Sequence, residues 1–106
     1  TNCVWTSAFK SFDYIPRNAY LAAIRCYKKT KKAFISAQTR EEIIAAVKNY
    51  TIDFNQLNEK YDEFIETIER DDIYHAMKIL HETCLCQDEI SLEEVWHIMD
   101  DMREMW

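Results

Sequence analysis

The chain of 106 residues contains no glycine. An average composition would supply about seven in a hundred, and glycine is the residue that reaches positive φ without steric cost. Tight β-hairpin turns and phosphate-cradling loops both depend on that freedom, so hairpin-rich β folds and glycine-loop nucleotide sites are disfavoured together. The single proline, Pro16, lies near the start and leaves the remaining chain uninterrupted. An all-α fold is the expectation. With 48% apolar residues there is enough material to fill the modest core of one domain, so residues 1–106 are expected to form a single helical unit.

The strongest periodic signal is a seam. Ile43, Val47, Tyr50, Phe54, Leu57, Tyr61, Phe64 and Ile68 follow one another at alternating steps of four and three. That spacing holds every one of these side chains on a single stripe of a helix. It predicts one rod from about Thr39 to Arg70, roughly 45 Å long at about 1.5 Å per residue. Phe54 and Leu57, at its middle, are expected to be wholly buried.

Start signals place the other helices. Residues 1–14 mix Val4, Trp5, Phe9, Phe12 and Tyr14 with polar side chains and suit a short helix or an ordered arm. Pro16, in a first helical turn, opens a helix that runs through Tyr20, Leu21, Ile24, Tyr27 and Phe34 and ends near Ser36. Thr39 with Glu42, and Ser91 with Glu94, have the capping-box spacing that opens the long rod and a last helix carrying Leu92, Val95, Met99, Met102 and Trp106. Between them a helix is expected to start after Asp71 or Asp72 and to carry Ile73, Met77, Leu80 and Cys84. Short polar connections then favour an antiparallel bundle of four or five helices around one long central helix.

Charge is divided unevenly. Residues 1–50 hold nine Lys or Arg against three acids, and residues 51–106 hold four against sixteen, within a net charge of −6. In the structural reading, folding lays the basic first helix beside the acidic ones and the charges form a partly paired, solvated surface. In the functional reading, the acidic half steers a basic partner, with Asp62, Glu66, Glu69, Asp100 and Asp101 as the contact residues. Arg25, Lys28, Lys29, Lys31 and Lys32 offer nucleic-acid contact through the basic first helix as a further alternative, although the net charge opposes a polyanion. No run of about eighteen apolar residues exists to cross a membrane.

Candidate chemistry is sparse. Cys3, Cys26, Cys84 and Cys86 lack zinc spacing; in an exported protein Cys3 or Cys26 would pair with Cys84 or Cys86, and in a cytosolic one all four are reduced. His81, three residues before Cys84, is the one local base for a thiol nucleophile. Asp72 with His75, and Glu94 with His97, repeat a carboxylate-x-x-histidine spacing used by di-metal helical bundles. The first helix has no acid to complete such a centre. Metal binding by these four residues is therefore the runner-up, and no cofactor is expected. The chain starts at Thr1 rather than methionine, which marks processing, tag removal or a fragment boundary. A cytoplasmic location is favoured with export left open.

Tyr14-Ile15-Pro16, Phe54-Asn55-Gln56-Leu57, Ile65-Glu66-Thr67-Ile68-Glu69-Arg70 and Trp106 resemble, in order, the landmarks of a family of short helical bacterial proteins of unknown function. The chain lacks a glycine-containing insertion that the family carries between the second and third landmarks. The resemblance implies an all-helical intracellular protein and supplies no activity. Asn55 is expected to fix a helix crossing, and Arg70 to close the C-terminal end of a helix. The reading reached is a non-enzymatic, acidic helical protein of the immunity, antitoxin or regulatory type, monomeric or homodimeric, that binds another protein.

Overall fold

A computed structural model describes residues 17–61, 63, 65–84, 87–104 and 106. The described residues form four α-helices and no strand: α1 (Arg17–Ser36), α2 (Arg40–Lys60), α3 (Thr67–Thr83) and α4 (Leu92–Met102), with a 3₁₀ turn at Gln87–Glu89. The segment 1–14, the Tyr14-Ile15-Pro16 landmark, Asp62, Cys3 and Cys86 lie outside the described residues.

Both expected caps are in place. The Thr39 hydroxyl accepts the Glu42 amide at 3.2 Å, and the Ser91 hydroxyl accepts the Glu94 amide at 3.1 Å. Neither box closes in the reciprocal way. The Glu42 carboxylate accepts from the Gln38 amide at 3.1 Å, while that of Glu94 is drawn away to the Arg40 guanidinium.

The expected rod over Thr39 to Arg70 is two helices. At about 1.5 Å per residue it would exceed the longest dimension of the molecule, 36 Å. Asn58 shows why it stops. This buried amide accepts the Ile65 backbone N–H through Oδ1 at 2.9 Å, and its own carbonyl accepts the Glu63 N–H at 2.6 Å. Two later amides are thereby folded back onto the last turn of α2. Glu63 stands at φ 55°, a left-handed position that glycine usually fills at a helix end. The next helix then starts at Thr67 rather than after Asp71 or Asp72, with Glu66 as its cap. Arg70 accordingly lies in the first turn of α3, not at a C-terminal end.

Among the described seam residues burial is complete only in the first half; Phe64 and the Ile68 side chain lie outside the described residues. Ile43, Val47, Tyr50 and Phe54 are fully buried, whereas Leu57 and Tyr61 are partly exposed. Tyr27 and Phe34 of α1, Ile73, Met77 and Leu80 of α3, and Val95 and Met99 of α4 join that half in one cluster. Within it the Tyr50 hydroxyl donates to the Ile73 carbonyl at 2.8 Å, so the ring that fills the core also satisfies its polar atom there. Helix α2 packs against α1 and α4, and α1 also packs against α3.

Candidate functional site

The expected contact acids divide by what their carboxylates do. Glu66 and Glu69 form the capping box of α3: the Glu69 carboxylate accepts the Glu66 amide at 2.9 Å, and the Glu66 side chain accepts in return from the Glu69 backbone. These two acids hold a helix end. Asp100 accepts the Tyr74 hydroxyl and lies 3.9 Å from Arg103. Burial of the ring, and then the bond to Asp100, push the Tyr74 phenol well above its ordinary range.

Asp101 differs. It is exposed in the last turn of α4, and Glu104 is exposed just beyond the helix. A helix C-terminus carries a partial negative charge and favours cations. Asp100, Asp101 and Glu104 therefore concentrate negative charge where the helix itself disfavours it. Glu104 was not among the expected residues, although acids at the end of a recognisable helix are a readable signal.

The basic first helix does not simply cancel this charge. Lys29 reaches Asp53 of α2 at 2.8 Å, while Arg25, Lys28 and Lys32 are exposed. Arg40 binds Glu94, which holds that carboxylate below its ordinary range. On α3, the 3₁₀ turn and α4, the acids Asp71, Glu82, Asp88, Glu89 and Glu93 are exposed.

The four residues of the metal reading are not gathered. His75 lines a groove between α3 and α4, whereas Glu94 and His97 line another that includes Arg40 and Ile44 of α2. Among the described residues no group of three or more His, Cys, Asp or Glu side chains is placed to hold a metal ion. Cys26 is buried, with Sγ 3.9 Å from the Tyr50 carbonyl and 3.8 Å from Asp53 Oδ2. Burial, then the negative Asp53, push its thiol far up and keep it protonated. His81 engages the Ile90 carbonyl through Nε2 at 2.7 Å, so that ring nitrogen is already held by a backbone group.

Two landmarks meet in space. Asn55, half-buried on α2, donates to the Met102 carbonyl at 2.9 Å, and its Oδ1 accepts the Glu104 amide at 2.8 Å and the Trp106 indole N–H at 2.6 Å. The Trp106 ring lies 6.4 Å from that of Phe54 and 6.4 Å from that of Tyr74. One amide thus closes the end of α4 and ties Glu104 and Trp106 to α2.

The groove between α3 and α4 has a volume of about 510 Å³ and is lined by Arg70, Tyr74, Lys78, Trp96, Asp100 and Arg103. Spacing places these residues. Arg70, Tyr74 and Lys78 recur every four residues on α3, while Trp96 and Asp100 share a face of α4. The same periodicity was legible in the sequence, but not that the two faces oppose each other. Trp96 donates its indole N–H to the Tyr74 carbonyl at 3.2 Å, and the Arg103 guanidinium sits over the Tyr74 ring, 5.8 Å from its centre.

Among the described residues no helix is long and apolar enough to cross a membrane. Compared with known proteins, the chain matches no family model, no curated protein and no solved structure.

Proposed function

We propose that this chain is a non-enzymatic protein-binding domain, of the immunity, antitoxin or regulatory type, that docks a basic partner on the acidic end of α4. The supporting observation is the placement of Asp101 and Glu104, exposed at the negative pole of the α4 dipole. Local stability would favour lysine at both positions. Departures from local preference are the places where a folded chain serves something other than its own stability. Opposite charge on a partner would be attracted from a distance, which raises the rate of encounter more than it tightens the complex.

The arrangement proposed for the whole is an antiparallel bundle organised around α2, related to the short helical bacterial family whose landmarks it resembles. The experiment uses the protein and the Asp101→Lys, Glu104→Lys double variant as paired baits, followed by association kinetics with any protein the first retains. A partner held equally well, with equal association rates, would remove the acidic end of α4 from the function.

A further inference from the structure

Residues 61–106 carry fourteen Asp or Glu and three Lys or Arg, and all three cations, Arg70, Lys78 and Arg103, line the one groove between α3 and α4. Scattered surface cations in so acidic a stretch would each be expected beside a carboxylate. Instead the ion pair described in this groove joins Arg103 to Asp100, and among the described residues Arg70 and Lys78 are in none. Two cations are thus left to face a cavity in the half of the molecule where pairing would be easiest.

The wall between them is aromatic and held in place. Trp96 is fixed by its bond to the Tyr74 carbonyl, the Tyr74 hydroxyl by Asp100, and the two rings lie 6.3 Å apart. Arg103 is held by its Nη1 bond to the Trp106 carbonyl at 2.8 Å. A pre-positioned aromatic wall flanked by cations along the same groove is complementary to a ligand that has both a flat ring and an anionic group. The volume, about 510 Å³, lies within the roughly 300–1,000 Å³ of small-molecule sites and leaves room for more than a lone anion. Asp71 and Asp100, which line the same groove, and the surrounding acids oppose an extended polyanion, which restricts the ligand to a short one.

We infer that the α3–α4 groove is a binding site for a nucleoside monophosphate, with the phosphate between Arg70 and Lys78 and the base against Trp96. This goes beyond the protein-binding reading and stands on different residues.

The test is calorimetric titration with adenosine 5′-monophosphate, alongside inorganic phosphate, adenosine and phenyl phosphate, while tryptophan fluorescence is followed. The nucleotide is expected to bind at least tenfold more tightly than any of the three fragments and to quench the tryptophan signal. Lys78→Ala and Arg70→Ala should each weaken it about tenfold, the loss expected when one charge-assisted contact to phosphate goes. Lys78 is exposed, so its variant should keep the helical circular dichroism of the parent, and Lys78→Arg should bind as the parent does. Absence of nucleotide binding at millimolar concentration, equal binding by the folded Lys78→Ala variant, or equal binding of phosphate or phenyl phosphate would each overturn the assignment.

Discussion

Asn55 satisfies three groups at once, the Met102 carbonyl, the Glu104 amide and the Trp106 indole. Leucine has nearly the same shape and none of the polar atoms, so Asn55→Leu should destabilise the fold by about 1–3 kcal/mol. Chemical denaturation followed by tryptophan emission checks this, and a change under about 0.5 kcal/mol would mean that water replaces the amide without loss. Glu63 presents the opposite case. Its φ of 55° strains a residue with a Cβ, so Glu63→Gly should leave stability unchanged or raise it by up to about 1 kcal/mol, although glycine elsewhere in this chain would weaken it. Cys26 gives a pH signature. Its folded pKa lies above the ordinary 9.0, so the folded state keeps a proton that the unfolded chain releases. The associated stability is whole below pH 9 and falls as pH rises beyond it, by up to about 1.4 kcal/mol per pH unit. Tyr50, also raised by burial, adds to the fall above its ordinary 10.0. Cys26→Ala should therefore flatten the denaturation midpoint between those two values, and an unchanged slope would show that the thiol is not the group responsible.

At the level of helices, Phe54 and Leu57 occupy consecutive seam positions and differ in burial. Phe54→Ala should cost about 3–5 kcal/mol and Leu57→Ala clearly less, since a cavity opens only where a side chain is enclosed. Equal costs would restore the continuous seam that the spacing suggested. The helix starts at Arg40 and Leu92 were legible because Thr39 and Ser91 are strong caps followed by acids. The break after Lys60 was not, because Tyr61, Phe64 and Ile68 continue the pattern and Asn58 resembles any other polar residue on a helix. What ends the helix is a side-chain bond to Ile65, seven residues on, and no periodicity encodes it. Glu66 and Glu69 read as partner-contact acids for the same reason, their capping role being visible only once the break is known. The groove was half legible: each helix shows its own stripe, but the opposition of Tyr74 to Trp96 is a tertiary contact that neither stripe encodes.

Across the whole molecule, the charge division of the sequence persists as a surface property. If the acidic end of α4 is a docking face, the Asp101→Lys, Glu104→Lys double variant should be at least as stable as the parent, because cations suit a helix C-terminus. The same variant should associate with its basic partner about tenfold more slowly at low salt. The difference should shrink above about 0.15 M, where the screening length is about 8 Å. A double variant that loses stability would contradict the placement of these acids against the dipole. The attachment of Trp106 to Asn55 has a kinetic consequence. The two are 51 positions apart, so closing that contact requires a long loop and belongs late in folding, after the local helices have formed. Reopening it releases the ring contacts to Phe54 and Tyr74 and the Arg103 bond, all at one end of the core. Native-state hydrogen exchange should accordingly find the Trp106 indole N–H and the Glu104 amide released together, by an opening that leaves the central amides of α2 protected. Such an opening uncovers the rings of Phe54 and Tyr74 while the helices stay folded, which makes the contact of Asn55 with Glu104 and Trp106 a latch over one end of the core rather than part of its frame.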